Sequence, residues 1–146
     1  MQSHLDSHIP NRDICESDVK SCLAEVELRY AQTFNMSFTC VDALNMSELN
    51  GQHRGHYRPT NVLSFHYGFN NNSIIGEVFF CPEVIEAQAL SDNISLRVHY
   101  MHLIFHSLLH ILGHTHQDDV NRDKMEREEI ILLHQFGIQS PYEKLD

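Results

Sequence analysis

The chemistry of this chain concentrates in one string, His106-Ser-Leu-Leu-His110-Ile-Leu-Gly113-His-Thr-His116. His106 and His110 stand at i and i+4, so on a helix their rings project one turn apart from one face, the spacing at which two imidazoles share a metal ion. Gly113 then permits a tight turn that folds His116 back onto them. The pattern H-x-x-x-H-x-x-G-x-x-H offers three neutral ligands and leaves a fourth position for water, as in a catalytic rather than a structural zinc site. Six of the twelve histidines fall between His99 and His116. His99 and His102 share the helical stripe and read as helix-surface residues or as groups that orient a ligand, and His114 reads as facing solvent, substrate or the ligands.

The same ligand spacing occurs in peptidases of the type H-E-x-x-H-x-x-G-x-x-H, where the Glu after the first His activates water. Here that position is Ser107. A serine is no base at neutral pH, so the metal cage survives while peptide hydrolysis loses its central group.

The elements that must hold these residues are legible from pattern. Ser95 to Leu112 reads as a long buried helix, because Val98, Met101, Leu103, Ile104, Phe105, Leu108, Leu109, Ile111 and Leu112 surround it with apolar side chains while His99, His102, His106 and His110 keep to one arc of about 80°. Gly113 suits the left-handed position that ends it. Ser17 or Asp18 is a candidate N-cap for a helix to Tyr30, with Val19, Leu23, Val26 and Tyr30 on one face. Met36 to Val41 alternates like a strand, Ala43 to His53 fits a short helix, and Asn61 to Tyr67 and Ile74 to Phe80 read as antiparallel strands bracketing an Asn-rich loop. Pro82 opens a helix to about Leu90, and a last helix runs from about Val120 to Phe136.

Composition bounds the class. The 146 residues are 42% hydrophobic and 21% charged, which fits one globular domain over residues 1–146, with 1–15 as its least ordered stretch. Twenty Asp and Glu against ten Lys and Arg give a net charge of -10, which excludes a nonspecific basic coat for nucleic acid. There is no long apolar run and no basic-then-apolar start, so the sequence predicts a cytoplasmic protein away from the membrane. Cys15, Cys22, Cys40 and Cys81 stand apart and read as reduced.

At this point the residues resemble a known family, the bacterial YbeY family of metal-dependent, single-strand-specific endoribonucleases. Its signature H-G-x-L-H-L-x-G-[YH]-D-H lines up with His106 to His116. Upstream, Arg54-Gly-His-Tyr-Arg-Pro-Thr60-Asn-Val-Leu-Ser64-Phe65 is similar to the family's R-x-x-x-x-P-T-[DN]-V-L-S-F. Gly76-Glu-Val-Phe-Phe-Cys-Pro-Glu83 resembles its G-D-I segment, and Met125-Glu-Arg-Glu-Glu129 through Phe136-Gly137 its closing helix. Two departures stand out: Ser107 replaces a glycine, and Thr115 replaces an aspartate that would supply a charge beside the third His.

The resemblance implies an α+β fold, a small mixed sheet packed against helices, with the metal site on the long central helix and the following turn. It implies one Zn2+ per chain on His106, His110 and His116, with Arg54 and His106 as catalytic residues and Arg54, Arg58 and Ser64 toward substrate. Ser64 and Thr60 equally suit backbone hydrogen bonding in strand and turn. The implied activity is cleavage of ribosomal RNA precursors at the 16S 3′ end and in ribosome quality control, with ribosomal RNA and the small subunit as partners and no DNA. The charge pattern agrees independently: residues 49–76 and 93–117, 53 of 146, hold none of the twenty carboxylates, yet contain Arg54, Arg58 and Arg97. If strand and helix pack face to face, these windows line one cleft, neutral to positive, for a polyanion. Core elements also disfavour carboxylates. Two other readings stand beside this one, a noncatalytic ribosome-assembly factor whose metal holds the fold and, on ligand spacing alone, a metallopeptidase.

Overall fold

A computed structural model describes the backbone of residues 4–8 and, in full, residues 16–142. Buried and part-exposed residues alternate along Thr33–Cys40 (β2) and Ser73–Phe80 (β4), the mark of strands with one face turned inward. The two run parallel, placing Phe34, Met36 and Phe38 beside Ile74, Gly76 and Val78. Val62–Asn70 (β3) lies antiparallel to β4. The connecting Asn71 and Asn72 both take positive φ, 51° and 68°, as a tight hairpin with right-handed twist requires. His4–His8 (β1) pairs parallel to the far edge of β2 and completes the order β1-β2-β4-β3. The sequence does not announce β1, since backbone pairing to a free edge defines it and HLDSH carries no apolar alternation. The rest of the 1–15 stretch lies outside the described residues.

Two helices cover the inward face. Glu16–Tyr30 (α1) contributes Val19, Cys22, Leu23 and Val26, and Leu96–Ile111 (α4) contributes Met101, Ile104, Phe105, Leu108 and Leu109, all buried. Ser17 and Asp18 fall inside the first turn of α1 rather than capping it. Asp18 instead meets Arg97 of α4 at 3.0 Å, tying the two helices together. Ser95 stands just before α4 rather than within it, and its hydroxyl caps the helix at the Val98 N–H.

Ala43–Arg54 (α2) covers the opposite face, where Met46 packs with Leu63 and Cys81. It ends at Gly55, whose φ of 76° breaks the helix immediately after Arg54. Pro82–Ser91 (α3) and Asp119–His134 (α5) flank α4, with Pro82 in the first turn and the Asp118 carboxylate capping α5 at Asn121. Cys22, Cys40 and Cys81 are free thiols, and Cys15 lies outside the described residues. No helix among the described residues is long and apolar enough to cross a membrane.

Candidate metal centre and cleft

The C-terminal end of α4 is built to return the chain on itself. Gly113, at φ 103°, lets its N–H reach His110 O at 2.9 Å while the His114 N–H reaches Leu109 O at 2.9 Å. These two bonds satisfy the last carbonyls of the helix and aim the next residues back along it. His116 thereby joins the helical pair, with ring centroids 5.7 Å from His106 and 4.9 Å from His110, and His106 and His110 are 4.7 Å apart. One ring nitrogen from each lies within 4.8 Å of the others.

His106 is oriented by a residue the sequence pattern does not single out. Glu129, on α5, has a side chain only 1% exposed, and its Oε1 accepts from His106 Nδ1 at 2.7 Å and from His102 Nε2 at 3.0 Å. Tyr142 donates to the other oxygen at 2.8 Å and lies 3.0 Å from His102 Nε2. Burial alone pushes the Glu129 carboxyl up, but the hydrogen bonds from His102 and His106 outweigh it and hold the group well below the usual carboxylate range. An ionised carboxylate only accepts, so His106 carries its proton on Nδ1 and leaves Nε2 for a ligand. A signal for this existed: Glu129 shares the buried face of α5 with Met125, Leu132 and Leu133, where a charge without a partner is costly.

Burial, and then the charges His106 and His116 would carry, lower the pKa of His110 to about 4, against a backbone hydrogen bond with His114 that raises it. His110 is therefore a neutral donor at physiological pH, and the three-imidazole set fits a tetrahedral metal such as zinc. Arg54 bears on the same group, since its charge also lowers the His110 pKa.

These residues border a cleft of about 410 Å³ between β3 and α4. Ser64, paired with Val78 and so on the inward face, stands in its wall with Thr60, Arg54, His102 and the three candidate ligands. Ser107 also borders it but is 1% exposed, its Oγ without a hydrogen-bond partner among the described residues, so it presents neither base nor nucleophile. Arg58 is exposed and outside the lining, and His114 turns to the Tyr30 ring at 6.2 Å.

The two acid-free windows do meet in this one cleft and supply most of its lining, but they bring few of their cations to it. Arg97 is turned to Asp18, His53 packs on Phe65 and His66 on Phe69. Asp92 borders the cleft, and Glu129 lies behind it. Of the three arginines in those windows, Arg54 alone lines it, so attraction for an anion is focused at one end.

Comparison with known proteins gives a consistent set. The sequence model described as Endoribonuclease YbeY matches residues 3–137. A Colwellia psychrerythraea protein named Endoribonuclease YbeY is 33% identical over 137 residues, covering 92% of this chain and 88% of its own. One of the same name from Alteromonas mediterranea is 37% identical over 116 residues, 77% of this chain and 72% of its own. The solution structure of TM1509 from Thermotoga maritima aligns with a TM-score of 0.62 at 19% identity, over 98% of this chain and 100% of that one, and so shares the fold.

Proposed function

Because the chain belongs to the YbeY endoribonuclease family, we propose that it is a zinc-dependent, single-strand-specific endoribonuclease that matures ribosomal RNA, including the 16S 3′ end, and takes part in ribosome quality control. One observation carries this: three imidazoles able to hold a metal and one arginine, with no competing ion pair among the described residues, border the same cleft. His106, His110 and His116 hold the ion. When bound, zinc supplies Lewis acidity and makes water acidic enough to ionise near neutral pH. That offsets the lack of a carboxylate base at position 107.

The protein's own groups do the rest. Arg54 presents a planar fork to the nonbridging phosphate oxygens, where negative charge builds up as the phosphodiester is cut. Glu129 keeps the His106 proton on Nδ1 throughout. Ser64 and Thr60 stand in the wall as hydroxyl donors to the sugar-phosphate chain, and Arg58, outside the cleft, meets a more distant phosphate. The substrate is ribosomal RNA in the context of the small subunit, and the compartment is the cytoplasm.

The noncatalytic reading draws on Ser107, which is no base, and on Thr115, which lends no charge beside the third His, whereas Glu129 places a carboxylate on the first. Cleavage of an unstructured ribosomal RNA precursor by zinc-loaded protein tests the proposal. Cutting is expected, with loss on chelation and in His110→Ala. Ends bearing 2′,3′-cyclic phosphate would identify the RNA 2′-hydroxyl as nucleophile, and 5′-phosphate ends would identify water. Intact RNA after incubation with the zinc-loaded wild type would overturn it.

A further inference from the structure

Beyond the triad, the cleft wall carries a hydrogen-bond network that neither metal binding nor Arg54 uses. Gln88 Oε1, on α3, accepts from Asn61 Nδ2 at 3.1 Å and from His99 Nε2 at 2.9 Å. A carboxamide oxygen has two lone pairs, so both are occupied and the amide is held in one orientation. His99 is 8% exposed, and burial, then the neighbouring His102, lowers its pKa. It therefore stays neutral and donates from Nε2, a firm brace for Gln88.

What the network leaves over is informative. Gln88 Nε2 is a donor and Asn61 Oδ1 an acceptor, and neither has a partner among the described residues, while both side chains border the cleft. A fixed donor beside a fixed acceptor complements the hydrogen-bonding edge of a nucleobase. Asp92 stands in the same wall. Its carboxylate repels a phosphate and accepts from an exocyclic amine. Charge thus divides the cleft into a phosphate end at Arg54 and a base end at Gln88. His99 and His106 are seven residues apart on α4, about 10 Å along the axis at ~1.5 Å per residue, which puts the base end beside the reacting phosphate.

We propose that Gln88 and Asn61, braced by His99, form a base-reading subsite that prefers a base bearing an exocyclic amine (adenine, cytosine or guanine) over uracil next to the cleavage point. This rests on the reading that the cleft holds single-stranded RNA. The exocyclic amine of adenine or cytosine donates to Asn61 Oδ1 and Asp92 while the adjacent ring nitrogen accepts from Gln88 Nε2; in guanine O6 accepts from Gln88 Nε2, N1–H donates to Asn61 Oδ1 and the amine donates to Asp92. Uracil can match Asn61 and Gln88 through N3–H and O4, but it then turns O2, a further acceptor, toward the Asp92 carboxylate, and an abasic sugar offers none of these groups.

The test is binding of zinc-loaded protein to 2′-O-methyl phosphorothioate strands, which resist cutting, with adenine, cytosine, uracil or no base at one position. Wild type is expected to favour adenine and cytosine over uracil by about tenfold, the scale of one mismatched base contact. Gln88→Glu keeps both accepted hydrogen bonds, and therefore the fold, but turns the donor into an acceptor. It should abolish that ratio, whereas simple charge repulsion would weaken all four strands equally. Asn61→Ala removes the other half of the pair and should give the same loss. Equal binding of all four strands by wild type, or a preference kept in both variants, would overturn the subsite and leave the nuclease reading standing. Binding of none of the strands would overturn both.

Discussion

The two halves of the candidate metal centre are held in different ways. His106 sits on a buried helix and leans on an ionised carboxylate, itself fixed by His102 and Tyr142. His116 sits in a turn, is exposed, and follows Thr115, which has no charge to lend. The helical half is therefore braced by a buried carboxylate, whereas the loop half is placed by the turn at Gly113.

Removing a helical ligand should break that arrangement most completely. In His110→Ala, metal analysis should find the stoichiometric ion lost, and RNA cleavage should fall to background. Arg54→Ala separates metal from chemistry: metal content should stay at the wild-type level while kcat drops by about 10²–10³, as when one charge-stabilising donor is deleted. Glu129→Gln addresses the difference between the halves directly. A neutral carboxamide still accepts from His106 but no longer lends it the negative charge that raises its basicity, so competitive metal titration should show affinity reduced by about 10–100-fold. Thr115→Asp lends the loop half a carboxylate, and the same titration should show a gain of up to about tenfold. If Glu129→Gln binds metal as wild type does, the carboxylate does not brace the helical half.

The smallest expected effect concerns pH. Unfolded His110 takes up its proton near pH 6.5, folded His110 only near pH 4, and His99 is shifted the same way. Between those values the unfolded chain binds more protons, so the metal-free protein is fully stabilised above pH 6.5 and loses stability as pH falls toward 4. Urea midpoints should follow that slope, and His99→Gln should flatten part of it.

The convergence of His106, His110 and His116 was legible because they sit close in sequence, where helical periodicity and one glycine determine which rings meet. Elements with strong local signals were legible for the same reason, down to the hairpin at the Asn-rich loop. Glu129 was not, because it meets His106 across 23 residues through the packing of α5 on α4. Its one trace is a carboxylate on an apolar helix face. Gln88 and Asn61 leave no trace, since two amides 27 apart announce nothing until β3 and α3 flank the same cleft. The charge windows located the cleft but not its cations, because the absence of carboxylates does not say which way an arginine points, and Arg97 points to Asp18.

The central claim is that the three histidines form one metal site on which RNA cleavage depends. The most direct test measures zinc content and cleavage of one single-stranded RNA together, on wild type and His106→Ala under the same conditions. The structure predicts one ion per chain and cleavage in the wild type, with both lost in the variant. A variant that keeps one zinc per chain and cuts at the wild-type rate would contradict it.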